Sequence, residues 1–347
     1  MYDYHDQINF NQEVEHKKRW PSVLFLVLFG VSIAYLSLWL GIKTNTIEVN
    51  KEGNPSFWGK VANIITFTKA APEEENDPNY VMPEEEKDRI DILVLGIRGG
   101  DDPDAENGGP YLTDTIMIFS YDKSTGKSSI VSIPRDLYVR IYKKQEKINS
   151  AYAEALARKE GLDYVKKLVS QISGVYIDHA VVIDFSSFEK IIDAVGGVDI
   201  VLDRPFSEKN QWGYEFKLPA GPNHLNGQNA LYYARSRYST NDFDRARRQQ
   251  QIIFALKDRV LKINFLSDPA KAFSIFNTVK NNTETDIGLW DMKGLIDLAG
   301  KLDGKTTHYI ISTENLLYQT ELYGTYILLP NGDNFDGIKK LFQEIVR

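Results

Sequence analysis

The sequence predicts an α/β protein with a single-pass membrane anchor, followed by an αβα domain whose central mixed β-sheet is flanked by helices. Three observations carry that expectation. Residues 21–42 form an uncharged apolar run long enough to cross a bilayer as a helix. Beyond residue 88, short Val- and Ile-rich runs alternate with stretches of helical periodicity, the texture of a sheet covered on both faces. Finally, YYARSRYSTNDFDRARRQQ, from Tyr232 to Gln250, packs five arginines into a 347-residue chain of net charge −7. Such a local cluster asks for an anion.

Taken in order, the chain is expected to hold a cytoplasmic tail at 1–20, a transmembrane helix at 21–42, an extracytoplasmic linker at 43–87 and one domain at 88–347. His16, Lys17, Lys18 and Arg19 precede the apolar run, and a basic flank stays on the cytoplasmic side. A cleaved signal peptide is the alternative, but the run is long, starts late and lacks a small-x-small exit. Trp20 and Trp39 sit near its two ends, where interfacial aromatics gather. In the linker, PEEENDPNYVMPEEEKD is too acidic and too poor in apolar residues to bury a core. Phe57, Trp58, Val61, Ile64 and Ile65 could line one side of a short amphipathic helix. The absence of cysteine excludes disulfides and thiolate metal sites. The acidic balance argues against general nucleic-acid binding, which needs a broad basic surface.

Within the domain, RIDILVLGI reads as a buried strand, and TIMIFSYD with SSIVSI as a strand pair joined by a KSTGK turn. Leu137 to Ile141 is extended. Asn149 to Ile172 is helical with a break near Gly161, HAVVIDF is a strand, and SSFEKIIDAVGG is a helix capped by Ser186 and closed by glycines. VDIVL extends again, and Gly227 to Ala234 seeds a short helix. Asp268 and Pro269 start another helix, and Asp286 opens one carrying Trp290, Leu295 and Leu298. Strands near HYIIS and TYILL and a helix from Asp336 complete the chain.

The arginine tract can be oriented from its own periodicity. Ile252, Ile253, Leu256 and Val260 recur on one helical face, and one turn back that stripe lands on Arg245 and Gln249. Arg248 falls on its flank, and Arg247 on the opposite side, toward water. An inward guanidinium must be paired, and its planar fork suits phosphate oxygens. Arg235 and Arg237 arrive just upstream and could converge on the same point.

Other polar residues stand at element ends. Asp114 opens a strand, where a carboxylate can hold Mg²⁺. Arg135 and Asp136 follow a strand in IPRD, and Lys147 and Asn149 stand at the mouth of a helix. Each alone has a plainer reading as turn former, cap or solvated charge. The blocks ILVLGI, TDTIMIF, SIPRDLYV, KINSAYAEA, VVIDFSSFEKIIDAVGGVDI, LNGQNALYYARSR and DFDRARRQQ, in this order, resemble the LytR-CpsA-Psr family over residues 89–262.

That resemblance implies a membrane protein whose extracytoplasmic domain transfers a glycopolymer from a polyprenyl-pyrophosphate-linked donor to a cell-wall sugar, typically of peptidoglycan, forming a phosphodiester. It marks Asp114 as the metal aspartate and matches Arg135, Lys147, Arg235, Arg237, Asp242, Arg245, Arg248 and Gln249 to family motif positions. A pyrophosphate donor needs cations where charge grows on the leaving phosphate. Asp114, Arg135, Arg237, Asp242 and Arg245 are then the catalytic candidates, with Asp242 as base or orienter of the acceptor hydroxyl. Arg135, Lys147, Arg235, Arg237, Arg245, Arg248 and Gln249 are the pyrophosphate-binding candidates. Val181, Ile183, Phe188, Ile192 and the stripe from Ile253 to Val260 could line a groove for the polyprenyl tail. One departure stands out: where the family usually carries an aspartate after its first strand, this chain reads Gly96, Ile97, Arg98. Asp101, Asp102 or Asp104 could replace that metal ligand, or Arg98 could take over part of the charge neutralisation. A phosphatase or pyrophosphatase acting on the lipid carrier, and a phospho-glycolipid-binding regulatory module without turnover, are the competing readings.

Overall fold

The chain's longest strand pair sits at the centre of the sheet. In β1 (Arg89–Ile97), Leu93 and Leu95 are wholly buried, and β2 (Thr113–Asp122) returns antiparallel beside it. The computed structural model describes residues 82–346 except 103–108, 210, 239, 264–268 and 289–305. The expected span at 21–42, the linker as far as residue 81, and the helix expected to carry Trp290, Leu295 and Leu298 lie outside the described residues. No described helix is long and apolar enough to cross a membrane.

After β2, β3 (Ser128–Ser132) pairs antiparallel with it, and a small ribbon of β4 (Tyr138–Ile141) and β5 (Lys144–Lys147) follows. A single 3₁₀ turn at Ile148–Ser150 leads into α1 (Ala151–Ala157) and α2 (Gly161–Ser173). The break expected near Gly161 separates these two helices, with Lys159 and Gly161 both at positive φ. β6 (His179–Ile183) then enters beside β1 in parallel, and α3 (Phe185–Ala194) leaves it. Asp184, not Ser186, caps α3: its carboxylate accepts from the Ser187 amide at 2.7 Å. The carboxylate has the added advantage of facing the positive end of the helix dipole.

β7 (Val198–Leu202) does not join the central sheet but pairs with β10 (Gly221–Leu225), while β8 (Phe206–Glu208) pairs with β9 (Phe216–Leu218). Between β10 and the arginine tract runs α4 (Gly227–Arg235), capped by Asn226. Gly227 is required by a close approach: a Cβ there would fall 2.4 Å from the Glu189 carbonyl oxygen of α3. α5 (Asp242–Lys262) starts at Asn241, whose side chain accepts from the Asp244 amide. α6 (Pro269–Asn282) leads to a three-residue edge strand, β11 (Thr283–Thr285), for which the sequence carried no signal.

Asp286 follows β11 and its carboxylate accepts from the Ala180 amide and Lys166, pinning β6 to α2. β12 (Thr307–Ile310), the expected HYIIS strand, runs parallel to β3 at the other edge. TYILL belongs to a separate hairpin of β13 (Leu317–Leu322) and β14 (Thr325–Pro330), and α7 (Asp336–Glu344) packs against α2. The central sheet is thus six-stranded and mixed, in the order β11-β6-β1-β2-β3-β12.

One core joins Leu93, Leu95, Ile116, Ile118 and Val131 of the sheet to Val165, Leu168, Ile172, Ile338 and Phe342 of α2 and α7. A second lies among α3, α4, α5 and the β7–β10 ribbon, around Ile192, Ile200, Leu225, Tyr233 and Ile252. Burial of apolar side chains at about 1.5–3 kcal/mol each fixes both layers. The end of the sheet where β1, β3 and β6 finish and β2 begins is left as the place where loops meet.

Candidate active site

Four chain segments bring charge to that end of the sheet. β1 delivers Arg98 one residue past its last pair, β2 delivers Asp114 as its second residue, and Pro134 ends β3 so that Arg135 turns out of the ladder. α5 delivers Asp242 in its first turn and Arg245 one turn later. Arg135 is also held by its backbone, since its carbonyl accepts from the Asn149 amide at 3.2 Å. The Asn149 carbonyl in turn accepts from the Thr113 hydroxyl, beside Asp114.

The charges alternate in sign. Arg135 Nη1 donates to Asp114 Oδ1 at 2.5 Å, and Arg135 Nε lies 3.7 Å from carboxylate oxygens of both Asp136 and Asp242. Arg245 Nη2 lies 2.8 Å from Asp242 Oδ1 and donates to the Asp114 carbonyl at 3.2 Å. Burial opposes the charge of Arg135, but Asp114, Asp242 and Asp136 outweigh it and raise its pKa. Arg245 is only 4% exposed, and burial lowers its pKa. Asp242 opposes that fall, while the like charges of Arg135 and Arg237 add to it. The Nε atoms of Arg135 and Arg245 are buried without a hydrogen-bond partner. Two strong donors left unspent beside crowded cations mark a place organised for a ligand rather than for stability.

Beside this network opens a pocket lined by Arg98, Asp114, Thr115, Phe185, Gln211, Trp212, Arg235, Arg237, Tyr238, Arg245 and Gln249. The guanidinium of Arg235 lies 3.8 Å over the Phe185 ring and 5.2 Å from that of Trp212, and pairs with Asp102 at 3.4 Å. Gln211 accepts from the Arg237 amide and so fixes the chain between α4 and α5. A second pocket, nearly all apolar, adjoins the first and shares Thr115, Phe185, Arg235 and Gln249 with it. Ile183, Phe188, Ile192, Ile253 and Leu256 line it as expected. Val181 and Val260 do not, because they stand farther from the strand end and one helical turn beyond Leu256.

The candidates named from sequence therefore divide. Asp114, Arg235, Arg237, Arg245 and Gln249 line the charged pocket, and Arg135 and Asp242 line a small notch that shares Asp114, Arg245 and Gln249 with it. Lys147 stands apart from both: its ammonium is bound to Asp136 at 2.6 Å, so it reaches the network only through that carboxylate. Arg248 also stands apart. Its fork donates to the carbonyls of Tyr233 and Ser236 and to the Thr240 hydroxyl, clamping the turn that presents Arg235 and Arg237. Arg247 faces solvent, 57% exposed, and pairs with Asp244. Trp212 and Gln211 were missed, since they come from the segment between β8 and β9 and no motif surrounds them. Asp136, visible in IPRD, was the available signal for the link to Lys147.

A Mg²⁺ ion at the pocket would find few protein oxygens among the described lining residues. Such an ion takes six oxygens, commonly one or two carboxylates with the rest from substrate and water. Asp114 is the single carboxylate among the described lining residues, and Arg135 already holds one of its oxygens. Asp102 is paired with Arg98 and Arg235, Asp101 is exposed in the preceding turn, and Asp104 lies outside the described residues. No group of three or more His, Asp or Glu capable of holding a metal gathers among the described residues.

Residues 58–343 match the model of the LytR_cpsA_psr family. The chain is 32% identical over 211 residues to polyisoprenyl-teichoic acid–peptidoglycan teichoic acid transferase TagU of Enterococcus faecalis, a match covering 60% of this chain and 64% of that protein. It is 30% identical over 285 residues to regulatory protein MsrR of Staphylococcus aureus, covering 81% of this chain and 82% of that one. The crystal structure of Bacillus subtilis TagV superposes with a TM-score of 0.60 at 28% identity, covering 76% of this chain and 98% of that one. A structure of TagT bound to LIIa-WTA shares the fold, with a TM-score of 0.58 at 24% identity over 75% and 91% of the two chains.

Proposed function

The chain belongs to the LytR-CpsA-Psr family of glycopolymer transferases, and we propose that it moves a glycopolymer from a polyprenyl-pyrophosphate-linked donor to a cell-wall sugar hydroxyl, typically of peptidoglycan. The observation that carries this reading is the joining of an arginine-lined pocket to an apolar one across four shared residues. A ligand that fills both has a polyanionic head and a long apolar tail. The Enterococcus relative is named for the same chemistry, a polyisoprenyl-linked polymer passed to peptidoglycan.

In this reading Arg235, Arg237 and Arg245 receive the two phosphates, and Phe188, Ile192, Ile253 and Leu256 receive the tail. The acceptor hydroxyl oxygen attacks the phosphorus that carries the glycan. Its bond to the bridging oxygen breaks, and polyprenyl phosphate leaves. The hydroxyl proton passes to the Asp242 carboxylate, which Arg135 and Arg245 hold in place. Negative charge growing on the bridging oxygen is met by guanidinium groups fixed beforehand, the arrangement that lowers phosphoryl-transfer barriers most effectively. Arg248 and Lys147 act one step back, by holding the Tyr233–Thr240 turn and Asp136.

The domain from 88 to 347 works outside the membrane, with residues 21–42 as the anchor, 43–87 as the linker and the 1–20 tail in the cytoplasm. Donor and domain then meet at the same bilayer surface. The test is transfer by the full chain in membranes supplied with a polyprenyl-pyrophosphate glycan and peptidoglycan, reading polymer linked to the wall and polyprenyl phosphate released. Release without linkage would instead favour the pyrophosphatase reading. Binding without release would favour a regulatory module, the role for which the Staphylococcus relative is named.

A further inference from the structure

The segment after β1 contributes a cation to the charged pocket, at a position where an oxygen ligand was expected. Arg98 lines that pocket together with Arg235, Arg237 and Arg245, against Asp114 as the one carboxylate among the described lining residues. Asp102 does not line it. Its carboxylate stands 3.6 Å from Arg98 and 3.4 Å from Arg235 and is largely shielded, so it acts as the shared counter-ion that holds two guanidiniums at the rim. The Arg98 backbone is fixed as well, its carbonyl accepting from the Phe185 amide at the start of α3. Phe185 then carries the Arg235 guanidinium on its ring, so Arg98 and Arg235 are joined through both a carboxylate and a helix start.

Resting on the pyrophosphate reading above, we infer that Arg98 is a donor-binding residue that lets this pocket take a polyprenyl pyrophosphate without a divalent cation. A metal ion at a pyrophosphate brings positive charge to oxygens that the protein leaves unneutralised. Here four guanidiniums already face the space those oxygens would occupy. A divalent cation entering among them meets repulsion that scales inversely with distance and is strongest where water is thin. Its carboxylate anchor would have to be Asp114, one oxygen of which is engaged at 2.5 Å by Arg135. Arginine also binds differently from a metal: each fork donates two parallel hydrogen bonds to one phosphate, so Arg98 and Arg235 can each orient a phosphate as well as neutralise it.

The test is calorimetric titration of the full chain in detergent with farnesyl pyrophosphate, once in EDTA and once with Mg²⁺. The wild-type dissociation constant is expected to differ by less than about tenfold between the two arms, and Arg98→Ala to weaken binding in EDTA by about tenfold or more, as loss of a charged hydrogen bond does. Wild-type binding that is weaker in EDTA by about tenfold or more would overturn the inference while leaving the pyrophosphate reading intact. So would an Arg98→Ala protein that binds as tightly as wild type. Absence of wild-type binding in both arms would bring down the pyrophosphate reading and this inference with it. The comparison of the two wild-type arms needs no variant to fold, and thermal melting of Arg98→Ala separates lost contact from lost structure.

Discussion

Replacing Arg245 with methionine removes the guanidinium and keeps most of the stem's volume, so it separates what the charge does for the reaction from what it does for the fold. On the stability side, the variant loses the 2.8 Å ion pair with Asp242 and the bond to the Asp114 carbonyl. Hydrogen bonds to a charged group contribute about 1.5–3 kcal/mol. Against that stand the burial of the group, the like charges of Arg135 and Arg237, and an Nε donor with no partner, itself a penalty of about 1–3 kcal/mol. Asp242 keeps Arg135 nearby and is one-third exposed, so it is not stranded. The opposing contributions are of one size, and the melting temperature is expected to move by no more than a few degrees. Transfer should behave differently. Loss of one preorganised donor at a developing anion costs about 2–4 kcal/mol of barrier, roughly thirtyfold to nearly a thousandfold in rate. Arg247→Ala is the internal control two residues along: its side chain is 57% exposed and its pair with Asp244 is a surface pair, worth about 0.2–1 kcal/mol, with no expected effect on transfer. Arg245→Lys keeps the charge but loses the fork, and should recover only part of the rate. An Arg245→Met protein that melts far lower yet transfers normally would refute a catalytic role for Arg245, as would an Arg247→Ala protein that is stable but as damaged as Arg245→Met.

Arg248→Met is expected to show the reverse profile, losing about 2–4 kcal/mol of stability because it strands the buried carbonyls of Tyr233 and Ser236, with chemical denaturation as the measurement. Ile253→Trp should fill the apolar pocket and raise the KM for a long-tailed donor by about tenfold, while calorimetric binding of inorganic pyrophosphate stays unchanged. Asp286 is held at a pKa of about 2: burial works to raise it, but His179, Lys166 and the Ala180 amide outweigh that. Its folded pKa lies below the unfolded value, so its contribution is present above the ordinary aspartate pKa and is lost as pH falls through about 2. Asp286→Asn should therefore cost about 2 kcal/mol at neutral pH, a difference that closes in acid, checked by denaturation across that range.

Much of this was legible from periodicity alone. The stripe through Ile252, Ile253 and Leu256 set the phase of α5, and the same phase put Arg245 inside and Arg247 in water. What periodicity does not carry is the path of the chain around the helix. Arg248 stands three residues from Arg245, on the flank, and its fork closes on Tyr233 and Ser236 because α4 ends just upstream and the chain turns back beneath it. A carbonyl that ends a helix and a phosphate are alike as acceptors for a guanidinium, and only the fold decides which one is within reach. Lys147 went the same way, spent on Asp136 by the pairing of β4 with β5 that sets Lys147 opposite Tyr138. VDIVL read correctly as a strand, but a five-residue run does not state its partner, and it joined β10 rather than the central sheet.

The position of the charged pocket follows from the sheet's mixed pairing. β1 and β6 run parallel and both exit at one end, while antiparallel β2 begins there, so three strand ends bring Arg98, Asp184 and Asp114 to the same end of the sheet. Ligands in open α/β folds gather at such strand ends because side chains there are fixed by the ladder but not yet covered by it. The apolar pocket requires more. It lies between the sheet and the helices α3, α4 and α5, in a layer that could otherwise have closed completely. Leaving it open forgoes close packing, and interiors ordinarily fill such space. Phe185 and Arg235 stand on the boundary, one ring against one guanidinium 3.8 Å apart, so the change from apolar wall to cationic wall takes place across a single contact. An inorganic phosphate would use only the charged side of that contact and a fatty chain only the apolar side. A molecule that joins a polyanionic head to a long apolar tail can use both.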